Sequence, residues 1–116
     1  MFINWNHDIY ITEGWFDANA IKRNAIPLLG KTIPNAIKSA LVKYRPPSVY
    51  IILDNDAILE SIRSIEYLMK NGINIFLVEL PPNSDPSLLG FTKIWELIKK
   101  SNKMDFEELI KYKINL

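Results

Sequence analysis

The sequence contains no cysteine, and this absence excludes several kinds of site. Disulfide bonds, thiolate metal centres and cysteine nucleophiles are ruled out, and the composition fits a cytoplasmic protein. The single histidine, His7, stands just before the first predicted strand, and no partner for it is evident in the sequence. We therefore interpret His7 as a surface residue, and any catalytic or metal-binding site is expected to consist of other residue types.

Long apolar runs and a strong net charge are also missing. No apolar run reaches the roughly 18 residues of a membrane span, and residues 1–8 lack the basic start and cleavage site of a signal peptide. The formal net charge is +1, whereas a domain that holds nucleic acid alone is usually more basic. We expect no membrane partner. If the chain acts on nucleic acid, we expect most of the binding affinity to come from outside this chain.

Apolar strand-like runs alternate with helix-like segments along the 116 residues. The predicted strands cover residues 8–12, 25–29, 48–53 and 73–80; Pro27 weakens the second strand or places it at an edge. The predicted helices cover residues 15–24, a segment capped by Thr32 with Pro34 in its first turn, residues 56–71, a segment around 91–100, and a short helix from Asp105. Residues 81–87 are predicted to form a loop.

This alternation predicts an α/β fold, with a mostly parallel sheet of about four strands and helices on both faces. Residues 56–71 give the clearest helix, because Ile58, Ile62, Ile65 and Met69 form one apolar stripe and Asn71-Gly72 is a typical helix end. No repeat or linker divides the chain, so we predict a single domain over residues 1–116.

Three carboxylates follow two of the predicted strands. Glu13 comes after the first strand, and Asp54 and Asp56 come after the third. Active sites of parallel α/β sheets lie beyond the carboxyl ends of the strands, and three carboxylates that converge there repel one another unless a cation binds them. A divalent, oxygen-seeking ion such as Mg²⁺ resolves this conflict. Gly14, which has no side chain, lets substrate approach closely beside Glu13.

Four segments carry a family resemblance. They are Glu13-Gly14-Trp15-Phe16-Asp17-Ala18, Leu28-Leu29-Gly30-Lys31-Thr32, Asp54-Asn55-Asp56 and Leu80-Pro81-Pro82-Asn83-Ser84-Asp85-Pro86. In this order and spacing they resemble the Glu-Gly-x-x-Asp-Ala, Leu-Gly-Thr, Asp-x-Asp and Leu-Pro-x-Gly-x-Asp-Pro motifs of the Toprim domain in DNA primases. The Asn in the third segment, together with Leu89-Gly90-Phe91, is similar to primases of tailed phages.

The resemblance implies a Rossmann-like Toprim fold and a function in DNA replication. In primases this domain is a nucleotidyltransferase that joins ribonucleotides into an RNA primer on single-stranded DNA, with Mg²⁺ or Mn²⁺ at its acidic cluster. The implied partners are a single-stranded DNA template, nucleoside triphosphates and a replicative helicase, in a phage-infected or bacterial cell.

The resemblance also implies the site residues. It gives Glu13, Asp54 and Asp56 as catalytic residues and metal ligands, and Asp85 as a further metal ligand. The expected substrate-binding residues are those of the first two motifs, namely Gly14, Asp17, Gly30 and Lys31.

Each of these residues also has a purely structural interpretation. Asp54 and Asp56 fit helix capping, Asp17 fits an ion pair with Lys22 or Arg23, Asp85 fits a turn before Pro86, and Lys31 fits a solvated lysine. Elsewhere, Trp15, Phe16 and Trp95 are expected to pack helices, and Lys99, Lys100 and Lys103 to form a solvated face.

The sequence departs from the primase pattern in three respects. Bacterial primases have small residues after the second Asp, where this chain has Ala57-Ile58-Leu59, and a second Asp where it has Ser87. Primases also carry a zinc-binding module and a basic subdomain before this domain, so the chain is expected to be a fragment, a split piece or a stand-alone protein. Two other functions are therefore open: a small Toprim nuclease acting on RNA or DNA, and a non-catalytic binding or assembly module.

Overall fold

A computed structural model of the chain describes residues 3–12, 24–28, 33–80 and 86–114, with the side chains of 86–91 excepted. The predicted first helix, over residues 15–24, lies outside the described residues except for Asn24, which is not helical, and the predicted Thr32 cap also lies outside them. The strands are β1 (Ile9–Thr12), β2 (Ala25–Pro27), β3 (Val49–Leu53) and β4 (Ile75–Glu79). The helices are α1 (Asn35–Tyr44), α2 (Asn55–Lys70), α3 (Pro86–Lys100) and α4 (Phe106–Ile114).

The four strands form one parallel sheet in the order β2-β1-β3-β4. β2 lies at the edge of the described sheet, which confirms the edge position expected from Pro27, because proline has no N–H to donate to a second neighbour. The predicted strand over residues 25–29 is shorter than expected and ends at Pro27. The observed architecture confirms the α/β prediction and is compatible with a Rossmann-like Toprim fold.

Helices cover both faces of the sheet. On one face, α1, α2 and α4 pack against alternate strand residues, including Val49, Ile51 and Leu53 of β3. On the other face, α3 packs Ile94 and Ile98 against the intervening strand residues. A strand that is covered on both faces has to be apolar at every position, which explains the uninterrupted hydrophobic run of β3.

Aromatic side chains reinforce the face that α3 covers. Tyr10, Tyr50 and Phe76 are paired neighbours on β1, β3 and β4, and their rings stack across the sheet with centroids 5.2 and 4.8 Å apart. Trp95 of α3 contacts the Tyr10 ring edge-on at 5.4 Å. This contact confirms the prediction that Trp95 packs its helix onto the rest of the molecule.

The helix α2 is organised as its sequence predicts. Ile58, Ile62 and Ile65 are buried, and Met69 is partly buried against the same cluster. The helix ends at the Asn71 cap, and Gly72 follows with a φ of 82°. A positive φ at this position is the reason that glycine ends many helices, so the predicted Asn71-Gly72 signal is confirmed.

Four predicted helix starts differ from the structure by one or more residues, among them that of α4, which begins at Phe106 with Asp105 as its cap. α2 begins at Asn55, because the Asp54 side chain rather than Asp56 caps it. Pro34 is the N-cap residue of α1 and not part of its first turn. α3 begins at Pro86, so Ser87 belongs to the helix and not to the predicted loop; a proline is tolerated in the first turn because the N–H there has no partner within the helix.

Among the described residues, no helix is both long and apolar enough to span a membrane.

Candidate metal site at the carboxyl edge of the sheet

The candidate site begins where the inner strand β3 ends. Leu53 is the last strand residue, and Asp54 follows as the N-cap of α2 with extended backbone angles. Its Oδ1 atom accepts a hydrogen bond of 2.9 Å from the backbone N–H of Ala57. This bond satisfies one of the N–H groups that a helix start leaves without a partner. The capping interpretation of Asp54 is therefore confirmed.

Capping uses only one of the carboxylate oxygens in this motif. Asp56 lies in the first turn of α2 and its side chain is exposed. Within the described part of the chain, neither Asp56 nor the Oδ2 atom of Asp54 has a hydrogen-bond or ion-pair partner. Both carboxylates stand at the positive end of the helix dipole, which stabilises negative charge. Structural capping and ligand binding are thus compatible at this position.

The sheet register brings the carboxyl ends of neighbouring strands together at this edge. Thr12, the last residue of β1, pairs with Ile52, two residues before Asp54. On the other side Glu79 of β4 pairs with Leu53, and the Leu80 N–H donates a 3.0 Å hydrogen bond to the Leu53 carbonyl oxygen. The ends of β1, β3 and β4 therefore lie side by side, as the parallel topology requires.

All the other predicted site residues lie outside the described residues. They are Glu13, Gly14, Asp17, Gly30, Lys31 and Asp85. Among residues that the structure does describe, no three histidine, cysteine or carboxylate side chains are grouped closely enough to hold a metal. The roles of Glu13 and Asp85 as ligands therefore stay predictions, and Asp54 and Asp56 are the two site residues whose placement is known.

Glu79 is a further carboxylate at this edge, and it was not among the site residues predicted from the sequence. It is exposed and is the last residue of β4. The signal was present in the sequence, because an acidic residue at the end of an apolar strand is the same pattern that singled out Asp54. The hydroxyl of Tyr112 in α4 donates a hydrogen bond to Oε2 of Glu79 at 3.5 Å.

The environment of Tyr112 changes its acidity. Burial, the charges of Glu79 and Glu108, and the hydrogen bond to Glu79 all raise the pKa of the Tyr112 hydroxyl above its usual 10.0. Tyr112 therefore stays neutral and can act as a hydrogen-bond donor to Glu79 throughout the physiological pH range. This bond connects the end of β4 to the last helix.

The chemistry of the donors fits a hard divalent cation. The candidate donor atoms described at this edge are carboxylate oxygens, and Mg²⁺ and Mn²⁺ prefer such ligands over nitrogen or sulfur. Asp54 is held in place by its bond to Ala57, so it needs no reorganisation to present Oδ2. An exposed Asp56 leaves room for the water molecules that Mg²⁺ usually retains.

Comparison with known proteins shows what the overall fold is similar to. No protein-family model and no curated protein matches the chain. Among solved structures, the zinc-binding and RNA polymerase domains of the Aquifex aeolicus primase are similar over 90% of this chain, with a TM-score of 0.72 and 27% identity. The chain therefore has a primase-like fold. It spans 28% of the length of that primase structure, so the likeness concerns one part of a larger enzyme.

Proposed function

We propose that the chain is the metal-dependent Toprim domain of a DNA primase and joins ribonucleotides into RNA primers on single-stranded DNA. The observation that carries the proposal is the pair of aspartates after the inner strand β3, set in a fold similar to a primase over 90% of the chain. The similar structure includes zinc-binding and RNA polymerase domains. Because this chain has no cysteine and one histidine, we assign its likeness to the RNA polymerase part.

In this proposal Asp54 and Asp56 are the described residues that would hold Mg²⁺ or Mn²⁺. Glu13 directly follows Thr12, whose strand lies beside β3, and we propose Glu13 as the third ligand and Asp85 as a fourth. A bound cation of this kind neutralises triphosphate oxygens and activates the attacking hydroxyl of the primer. We assign contacts with the nucleotide to the first two motifs, through Gly14, Asp17, Gly30 and Lys31.

The chain's own carboxylates have two tasks in this chemistry. Asp54, fixed by its capping bond, sets the position of the ligand cluster relative to the sheet. Asp56, exposed in the first helical turn, extends the cluster toward solvent, where nucleotide and template would enter. We further propose a phage-type primase that works with a replicative helicase, from the resemblance of Asp54-Asn55-Asp56 and Leu89-Gly90-Phe91.

An activity assay tests the proposal. The chain is incubated with a single-stranded DNA template, nucleoside triphosphates and Mg²⁺ or Mn²⁺, and both ribonucleotide incorporation and strand cleavage are measured. We expect slow incorporation, because a chain with a net charge of +1 is expected to hold the template only weakly by itself. Asp56→Asn should abolish incorporation, whereas Asp105→Asn, at a carboxylate that caps α4, should leave it unchanged.

The same assay separates the proposal from the nuclease alternative. Metal-dependent cleavage that Glu13→Gln abolishes, without incorporation, would show that the site activates water instead of a sugar hydroxyl. The capping role of Asp54 leaves the other alternative, a non-catalytic module, open, because it accounts for the first aspartate without a metal. Absence of Mg²⁺ and Mn²⁺ binding would support that module and exclude both enzymes.

A further inference from the structure

The net charge of the chain is only +1, but its acidic and basic residues are unevenly distributed along the sequence. Between Ala18 and Leu53 the sequence has no acidic residue and six basic ones, at positions 22, 23, 31, 38, 43 and 45. The other eight of the 14 basic residues share the remaining sequence with all 13 acidic residues. Charge asymmetry of this kind is typical of proteins that bind a polyanion through one part of their surface.

The described basic residues of this stretch lie on or next to α1, which contacts α2. We use the name α1–α2 surface for Lys38, Lys43 and Tyr44 of α1 together with Tyr67 of α2. Tyr44 and Tyr67 are 48% and 46% exposed, whereas a tyrosine side chain in a folded protein is usually at least partly buried. Lys38 of α1 places its Nζ 5.5 Å from the centre of the Tyr67 ring, across the helix pair.

The lysines of this surface are positioned by aromatic rings instead of carboxylates. Besides the Lys38 contact, the Nζ of Lys43 lies 5.2 Å from the centre of the Tyr44 ring. The Tyr44 ring in turn stacks on Trp5 at 5.1 Å, which fixes its orientation. A cation–π contact orients an ammonium group but leaves its full charge available to an anion.

Other lysines in the described residues behave differently. Lys70 and Lys113 both pair with Glu66, at 3.9 and 2.7 Å, and Lys93 pairs with Glu96 at 3.6 Å. Among the described residues, no carboxylate forms an ion pair with either lysine of the α1–α2 surface. These three lysines are thus paired, whereas the lysines of the α1–α2 surface, like Lys99, Lys100 and Lys103, form no ion pair among the described residues.

From these observations we infer that the α1–α2 surface binds single-stranded nucleic acid. The lysines contact backbone phosphates, and the exposed tyrosines offer ring surface to unpaired bases. This combination of cations and aromatic side chains is what binding of single strands without sequence preference requires. Exposed Asn35 and Ser39 on the same helix add short polar side chains, which also contact phosphates in nucleic-acid complexes.

A lipid surface fits the α1–α2 surface less well. The exposed positions of α1 carry Asn35, Ala36, Ser39, Lys43 and Tyr44. None of them is a large aliphatic residue, whereas helices that lie in a membrane interface insert a broad apolar face. Charge without such a face favours nucleic acid over membrane.

The surface is separate from the acidic edge. The guanidinium of Arg45, which follows α1, donates a 3.0 Å hydrogen bond to the Asn71 carbonyl oxygen at the end of α2, shortly before β4 begins. The α1–α2 surface therefore extends toward the amino edge of the sheet, opposite Asp54. Binding there does not depend on the proposed function, and it is measured without divalent metal so that the two can fail independently.

The test is a titration of a fluorescently labelled oligothymidylate, about 16 nucleotides long, with the chain in EDTA at several salt concentrations. The test variant is Lys38→Gln/Lys43→Gln, and the matched control is Lys99→Gln/Lys100→Gln on the opposite face. Lys43 and Lys99 both lie in the last turn of an exposed helix end, so each double change removes two comparable charges.

We expect the test variant to bind roughly tenfold or more weakly and to lower the slope of log K against log salt by about 1.4, which corresponds to two phosphate contacts. The control should keep the parent affinity and slope. Equal losses in both variants, or no binding by the parent chain at low salt, would overturn the inference.

A second variant tests whether bases are contacted. Tyr67→Ala should weaken oligothymidylate binding about fivefold or more, because stacking on the ring is lost, and should weaken binding of inorganic polyphosphate clearly less, through the lost contact with Lys38 alone. Equal effects on both ligands would reduce the surface to a general polyanion site and contradict the inference. Sedimentation with phosphatidylserine vesicles completes the test, since tighter binding to vesicles than to the oligonucleotide would also refute it.

Discussion

At the scale of single residues, one substitution separates the two roles considered for Asp54. Asparagine should preserve its capping role and weaken its proposed role as a metal ligand. As an N-cap Asp54 accepts a hydrogen bond from Ala57, a task that asparagine performs about as well as aspartate. As a proposed metal ligand it contributes a negative charge, which asparagine lacks. The chain offers a matched comparison in Asp105, whose Oδ1 accepts from the Glu108 N–H at 2.8 Å and so caps α4 in the same way.

Asp54→Asn and Asp105→Asn should therefore change the free energy of unfolding by only about a few tenths of a kcal/mol each. Asp54→Ala should cost about 1 kcal/mol because the cap is lost. Urea unfolding followed by circular dichroism measures these values, and a calorimetric Mn²⁺ titration measures binding. Weaker Mn²⁺ binding in Asp54→Asn alone supports the ligand role; equal binding in both Asn variants contradicts it.

Tyr112 and Tyr50 make stability depend on alkaline pH. Burial raises the pKa of both hydroxyls above 10.0, and in Tyr50 the nearby charge of Asp8 raises it further. The folded chain then retains these protons at a pH where the unfolded chain releases them. Their contribution is fully present below the unfolded pKa of about 10 and is lost as pH rises through the folded value.

Tyr112→Phe should consequently flatten the loss of stability above about pH 10 and leave stability near pH 7 almost unchanged, because the bond to Glu79 is long. Urea midpoints of both proteins, measured from neutral to alkaline pH, give the two curves. Parallel curves would mean that Tyr112 ionises alike in the folded and unfolded chain.

At the scale of elements, the last helix is attached to the molecule by one side. Leu109 of α4 is 1% exposed and belongs to the main core cluster, whereas its neighbour Ile110 is 56% exposed. Lys113 adds an ion pair of 2.7 Å from α4 to Glu66 on α2. The hydrogen bond from Lys113, together with its charge, lowers the pKa of the Glu66 carboxyl, but ion pairs at the surface contribute little to stability.

Packing should therefore dominate the stability of α4. Leu109→Ala is expected to lower the free energy of unfolding by about 2–5 kcal/mol, since it leaves a cavity, and Ile110→Ala by about 0.5 kcal/mol or less. Urea denaturation of the two variants gives the comparison on one helix. Similar losses for both would show that α4 does not pack through Leu109.

The elements also show how far the sequence could predict the fold. Strong periodicity located α2, and the apolar run Val49–Leu53 located the inner strand, because burial on one or two faces leaves a direct pattern in the sequence. The starts of the helices were less predictable. Asp54 and Asp56 are both acceptable caps, and a choice between them depends on backbone geometry at the end of β3, which residue types alone do not encode.

At the scale of the whole molecule, two separate surfaces are candidates for function. One is the carboxyl edge, where Asp54 and Asp56 lie as expected after β3, where their role as ligands stays a prediction, and where the register places Glu79, which the sequence interpretation left out, beside Leu53. The other is the α1–α2 surface, which no motif indicates. It depends on contacts between two helices, such as that of Lys38 with Tyr67, and tertiary pairs of this kind are not readable from spacing along the chain.

The proposed function depends above all on metal binding at the carboxyl edge, and NMR of the isotopically labelled chain with Mn²⁺ locates that binding directly. Paramagnetic Mn²⁺ broadens signals of nearby amides, so the account predicts that the amides of Asp54–Ala57 and of Thr12 broaden first. In Asp56→Asn the same broadening should require about tenfold more Mn²⁺, while Asp105→Asn should behave like the parent chain. Broadening that begins elsewhere, or that is unchanged by Asp56→Asn, would contradict the metal site and the primase function proposed from it.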